Sequence, residues 1–266
     1  MALSPLVMGI INVTPDSFYP DSRTSSLREA VERGRALFDA GCDIVDVGGE
    51  STRPGASPVA VADELARVIP VVRELARFGP VSVDTQKVDV ARGAVEAGAR
   101  VLNDVSCSLI EVAGELGVGY VAMHRVSAAM SADEVPTYND VVREVTDFLR
   151  AAGERARSVR VAPLWLDPGI GFSKNREHNL ALLAQCAHFV EVGKEYGAGV
   201  LIGVSRKRFL SQLGGETLDV NERLEGSIAC EAWAMLCGVS MVRVHDAVVA
   251  VQLRELLVRP VEEVVA

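Results

Sequence analysis

Two aspartates and an asparagine, Asp84, Asp167 and Asn103, each stand at or directly behind a short apolar run in this 266-residue chain. Ionised carboxylates only accept hydrogen bonds, whereas an amide side chain both donates and accepts. Brought to one pocket, the three would suit an aminopyrimidine-type ring, whose N–H groups donate and whose carbonyl and ring nitrogens accept. A second set is cationic. Arg206, Lys207 and Arg208 are consecutive, and Arg243 and His245 are two apart, on one face of an extended segment. Cations ahead of a helix oppose its dipole unless an anion or acidic neighbours compensate, so this side of the chain asks for an anionic ligand, phosphate first. A solvated surface cluster is the ordinary alternative for the basic triplet. Helix capping or a local ion pair is the alternative for each aspartate.

Other candidates carry less chemistry. His124 follows a strand and could serve as base or ligand, although a lone strand-end histidine is more commonly structural. His178 and His188 lie in helical context without an evident metal partner. Gly169 and Gly171 do not make a dinucleotide fingerprint, because Lys174 stands where the third glycine belongs. No nicotinamide cofactor is expected. The five cysteines (42, 107, 186, 230 and 237) show neither a CxxC pair nor zinc spacing, and read as buried, reduced thiols of a cytoplasmic protein. A net charge of −9 with no basic tract argues against nucleic acid. No apolar run approaches the ~18 residues of a membrane span. The first residues lack the charged region of a leader and run straight into a strand.

The elements that must position these residues are legible in the apolar pattern. Eight short runs, at 6–11, 43–47, 81–83, 101–103, 120–123, 164–166, 200–204 and 241–244, alternate with segments of helical period. After the first run the stripe is Leu27, Ala30, Val31, Gly34, Leu37 and Phe38, with Ser26 and Glu29 spaced as a capping box. After the second it is Val61, Leu65, Val68, Ile69, Val72 and Leu75, and Pro70 is expected to kink or divide that helix. With 49% apolar but only 5% aromatic residues, the core is expected to be Val, Leu, Ile and Ala, as buried parallel strands prefer. Eight unbroken strand–helix units predict one α/β domain over 1–266, a (β/α)8 TIM barrel, with an open doubly wound sheet as the alternative. A barrel brings every strand end to one rim, where active sites of this fold lie.

Taken in order, the strand-end clusters resemble dihydropteroate synthase, the pterin-binding barrel enzymes of folate biosynthesis. The matching segments are Asn12 to Phe18, Gly48 to Gly55, Ser82 to Thr85, Asn103-Asp104, Leu166 to Phe172, Ser205 to Lys207, Glu222 to Gly226 and Arg243 to Asp246. The resemblance implies a transferase that condenses 7,8-dihydropterin-6-ylmethyl diphosphate with p-aminobenzoate, releasing pyrophosphate. It implies a pterin site of Asp84, Asn103, Met123, Asp167, Phe172 and Lys207, with Asp84, Lys207, Arg243 and His245 as catalytic residues. Asn12, Arg243 and His245 would hold pyrophosphate, Asn12 with a Mg²⁺ ion. Asp16, Phe18, Asp21, Thr52, Arg53 and Pro54 would belong to the loops and pocket of the p-aminobenzoate side. A cytoplasmic homodimer, joined through the later helices and without nucleic-acid or membrane partners, is implied as well.

Three departures stand out. The first loop reads Phe18-Tyr19-Pro20-Asp21-Ser22-Arg23 in place of a glycine-rich turn, Arg208 replaces a serine, and the segment after Met123 lacks the family's His-Met-Gln-Gly pattern. Arg208 is expected to pair with the p-aminobenzoate carboxylate. A pterin-binding corrinoid methyltransferase and a non-catalytic paralogue are the alternative readings. The cationic segments argue against the first, since methyl transfer leaves no pyrophosphate to stabilise.

Overall fold

The strand runs are rich in Val, Leu and Ile, residues that pack well when both faces of a parallel sheet are covered. In the computed structural model, which describes residues 4–13, 23–51, 57–126, 137–212 and 217–258, they form eight parallel strands. These are β1 (Leu6–Asn12), β2 (Ile44–Gly48), β3 (Val81–Asp84), β4 (Val101–Asp104), β5 (Gly119–Met123), β6 (Leu164–Asp167), β7 (Gly199–Ile202) and β8 (Met241–Val244). They close in sequence order, with β8 returning to β1 through the register Leu6 to Met241. The barrel, not the open sheet, is the fold.

The connecting helices are α1 (Arg23–Asp39), α2 (Val61–Leu75), α3 (Val88–Glu96), α4 (Ile110–Leu116), α5 (Val141–Ser158), α6 (Arg176–Ala184), α7 (Cys186–Lys194), α8 (Leu224–Leu236) and α9 (Ala247–Val258). Two local expectations fail. α2 runs through Pro70 undivided, since Val68, Val71, Val72 and Leu75 stay buried on both sides of the lost backbone hydrogen bond. Ser26 lies inside α1 instead of capping it, because the helix already includes Arg23. No long helix follows β7 directly either. Short 3-10 turns at Arg208–Gln212 and Val220–Arg223 come first.

The period-two alternation of the strands decides which side chains reach the barrel axis. Met8, Ile44, Val101, Val121, Trp165, Leu201 and Met241 fill one apolar cluster inside the barrel. Their neighbours Val45, Leu102, Tyr120, Leu164, Leu166, Val200 and Ile202 pack outward in the larger cluster shared with the helices. Two residues beyond the inner cluster, at the C-terminal ends, the same inward parity is occupied by Asp46, Asn103, Met123, Asp167 and Arg243, and on β3 by Ser82 and then Asp84. One strand face thus changes from apolar to polar as it approaches the rim. That change builds the site.

Candidate active site

The inner row is a connected network. Asp46 is fully buried, and its Oδ2 accepts from Asn103 Nδ2 at 2.9 Å and from Arg243 Nε at 2.7 Å. Arg243 Nη2 also donates to Asp84 Oδ2 at 2.9 Å, so one guanidinium bridges the carboxylates of two neighbouring strands. The other oxygens, Asp46 Oδ1 and Asp84 Oδ1, are buried without a hydrogen-bond partner among the described residues, as is Ser82 Oγ. Buried acceptors are costly to leave unpaired, and such exceptions mark a place for a ligand or ordered water.

Across the barrel, Asp167 Oδ1 accepts from the Gly169 N–H at 2.7 Å. Lys207 donates to the Ile170 carbonyl and lies 4.4 Å from the centre of the Phe172 ring, a cation–π contact. Met123, buried at the end of β5, lies beside Asp167 in the sheet register. Asp84, Asn103, Met123, Asp167, Phe172 and Lys207, on separate strands and turns in the sequence, therefore meet at one rim.

Electrostatics follow from this burial. Burial pushes the Asp84 carboxyl well above the ordinary aspartate range, with Arg243 opposing and Asp46 adding to the rise. Asp167 is raised by burial too, against the pull of Lys207 and the Gly169 N–H. Burial draws the Lys207 ammonium down to about 8, and Asp167 resists the change. Desolvation would lower Arg243, but Asp46 and Asp84 hold it up. The set presents carboxylate acceptors, an amide and two cations to anything entering the mouth.

The basic side is less uniform than the sequence suggests. Arg206, Lys207 and Arg208 part company. Arg206 forks onto Asp246 with two contacts of 2.7 Å, Lys207 turns into the mouth, and Arg208 is exposed. His245 is exposed at the end of β8, with its N–H 3.2 Å from Ser205 Oγ. Asn12 ends β1, and its Oδ1 and the Asp84 carboxyl flank the open side of Gly48. Asp16, Phe18, Asp21, Thr52, Arg53 and Pro54 lie outside the described residues. The base of their second loop is described. Lys87 donates to Glu50, to Glu64 and, at 2.8 Å, to the Val59 carbonyl, clasping both ends of the segment 51–58.

A family model for pterin binding enzymes matches residues 8–245. Dihydropteroate synthase of Escherichia coli (strain K12) is 42% identical over 250 residues, covering 91% of this chain and 86% of the relative. The solved dihydropteroate synthase of Xanthomonas albilineans with 4-aminobenzoic acid superposes with a TM-score of 0.85 at 39% identity, covering 98% of this chain and 93% of that one. The Yersinia pestis dihydropteroate synthase, solved with a sulfonamide drug complex, gives 0.85 at 34% identity, over 97% and 94%. The chain belongs to the dihydropteroate synthase family.

It is a transferase of folate biosynthesis, and the methyltransferase alternative finds no support in these dihydropteroate synthase relatives. Within that family frame, two residues escape a reading of strand-end clusters. Asp46 sits inside its run rather than after it, but its parity with Ile44 would have found it. Lys87 gives no sequence signal of its own, since its partners come from three separate segments. The histidines resolve toward structure. His178 completes a capping box with Asn175, His188 meets Thr146 Oγ1 at 3.0 Å, and His124 is pushed down to about 3, chiefly by burial. All five cysteines are free and all but Cys237 are buried, as expected.

Proposed function

We propose that this chain condenses 7,8-dihydropterin-6-ylmethyl diphosphate with p-aminobenzoate to give 7,8-dihydropteroate and pyrophosphate. The observation that carries this reading is the pair of buried carboxylate oxygens on Asp46 and Asp84, without a partner among the described residues, beside Asn103 and opposite Asp167 and Lys207. A pterin ring offers the N–H donors those oxygens lack and the acceptors that Asn103 and Lys207 can serve. Met123 and Phe172 supply apolar contact for its faces.

The amine nitrogen of p-aminobenzoate forms the new C–N bond as the methylene C–O bond breaks, and the diphosphate leaves with the bonding electrons. The amine then gives up a proton to solvent. An arylamine is already nucleophilic, so no activated serine or cysteine is required. Positive character at the methylene is delocalised into the electron-rich pterin, held in place by Asp84, Asn103 and Asp167. Negative charge on the leaving diphosphate falls to the N–H groups of Arg243 not committed to Asp46 and Asp84, to His245, and to Asn12. Arg208, exposed and next in sequence to Lys207, pairs with the acceptor carboxylate in this reading.

The donor set fits a Mg²⁺ ion that arrives with the diphosphate. Asn12 offers a neutral hard oxygen, and among the described residues no group of three or more His, Cys, Asp or Glu could cage a metal unaided. Magnesium commonly takes few protein ligands and completes its shell with water and substrate phosphate. When bound, the ion would neutralise charge on the leaving group.

A homodimer through α8 and α9 is part of the same proposal, since Trp233, Leu236, Val248 and Leu256 leave large apolar surface on those helices. Among the described residues no helix is long and apolar enough to cross a membrane. Cytoplasmic residence is proposed on the free, mostly buried thiols. The test is pyrophosphate release by purified protein given the pterin diphosphate, p-aminobenzoate and Mg²⁺. Release that requires both organic substrates is expected. Binding without turnover would show the non-catalytic paralogue instead.

A further inference from the structure

His124 and Lys174 are both buried at the barrel mouth, and neither enters the reaction described above. Lys174 Nζ lies 3.0 Å from His124 Nδ1, 3.0 Å from the Gly169 carbonyl oxygen and 3.1 Å from that of Phe172. An ammonium has three N–H donors, so three acceptors at these distances saturate it. The His124 carbonyl, at 3.4 Å, is a weaker additional contact. This geometry makes Nδ1 of His124 an acceptor and leaves the ring proton on Nε2. Burial, aided by the Lys174 charge, keeps the imidazole neutral, as an acceptor must be.

His124 follows β5, and Lys174 closes the turn after β6, so the ammonium ties two rim segments together. They cross closely. A Cβ on Gly169, whose φ is +70°, would stand 1.9 Å from the His124 carbonyl oxygen, so only glycine fits there. The same turn sets three groups of the pterin site. It begins at Asp167, whose carboxylate accepts from Gly169, and it supplies both the Ile170 carbonyl and the Phe172 ring that hold Lys207.

We propose that Lys174 is a positioning residue for the pterin site, stapling the 168–173 turn to the end of β5 so that Asp167, Phe172 and Lys207 stand preset for the ring. The inference rests on the pterin reading and extends it to a residue that touches no substrate. The staple also has an electrostatic effect. Burial draws Lys174 down to about 7, so its charge is fullest on the acid side; it faces His124 from β5, Asp167 from β6 and Lys207 from the segment after β7, while Arg243 faces Asp167 from β8. Lys207, Lys174 and Arg243 all favour the ionised form of Asp167 against its burial. Removing one of these cations raises the pH at which Asp167 takes up a proton and ceases to accept from the pterin.

The experiment titrates free pterin into full-length wild type, Lys174→Met and His124→Leu across pH, alongside steady-state KM values. For Lys174→Met, pterin Kd should rise about tenfold, the loss of one charge-assisted contact's worth of order. The p-aminobenzoate KM should stay within about twofold, and the acid limb of pterin binding should move up by about half a pH unit. His124→Leu keeps the ammonium and should raise pterin Kd about threefold with the acid limb unmoved. A folded Lys174→Met protein that binds pterin like wild type overturns the proposal. So does one that weakens both substrates alike without a shifted acid limb. If Lys174→Met does not fold, His124→Leu decides, and an unchanged pterin Kd there overturns the staple. A wild type that fails to bind pterin removes the underlying reading, and the staple's role with it.

Discussion

Asp84 and Asp104 end the neighbouring strands β3 and β4, and both are buried carboxylates at the barrel mouth. Asp104 faces outward, toward the helices. It accepts from Ser106 N–H and hydroxyl, Ser108 N–H, Leu109 N–H and Tyr120 O–H, all between 2.6 and 2.8 Å. Asp84 faces the axis, shares Arg243 with Asp46 and keeps an oxygen with no partner among the described residues. The first carboxylate is saturated by its own fold, tying the β4–α4 turn to β5. The second is left incomplete, raised by burial against the pull of one guanidinium and open to another molecule. Strand parity alone separates them, since Asn103 and Asp104 are adjacent and face opposite ways.

The sharpest way to break this comparison is to remove the saturated carboxylate. Asp104→Ala strands several buried donors at once and should cost about 4 kcal/mol of stability, a fall in Tm of roughly 10 °C. Surviving folded enzyme should keep kcat/KM within about threefold. A thermal melt paired with kinetics at low temperature checks both halves. Arg243→Ala attacks the incomplete set and should do the reverse. Turnover should drop by about 10²-fold or more, the size of losing one preorganised charge-stabilising group. Unchanged steady-state turnover would refute its role.

Smaller effects sharpen the contrast. Burial raises the carboxyls of Asp84 and Asp167, and the proposed pterin contacts use both in ionised form. Activity should therefore fall as pH drops through a range above that of ordinary aspartates, and a pH profile of kcat/KM measures it. An acid limb at the usual aspartate pKa would contradict the burial argument. Arg208→Ser probes the acceptor edge and should raise the p-aminobenzoate KM about fivefold, with the pterin KM unmoved. No rise would remove Arg208 from the carboxylate.

The barrel itself was legible because eight Val- and Leu-rich runs with helical stripes between them leave few other ways to bury both sheet faces. Much of the inner row was legible too, since Asp84, Asn103, Asp167 and Arg243 end or nearly end their runs. Asp46 is less legible because it stands in mid-run, and its partners there, Asn103 and Arg243, lie 57 and 197 residues away. Lys174 carried no signal either. Its three principal acceptors are two carbonyls and an imidazole brought together only by the crossing of two turns. The basic triplet looked like a unit, yet adjacent residues in a tight turn point apart, and Arg206 adopts φ +55° on its way to Asp246. Local pattern gives elements and parity, while long-range ion pairs must be seen in three dimensions.

The central claim is that the incomplete inward carboxylates, and not the saturated outward one, receive the pterin. Calorimetric titration of free pterin into wild type, Asp84→Asn and Asp104→Asn tests it most directly. The account predicts binding by wild type and Asp104→Asn with similar affinity, and a loss of about 100-fold in Asp84→Asn, the order of one buried charged hydrogen bond. Equal binding by wild type and Asp84→Asn would contradict it.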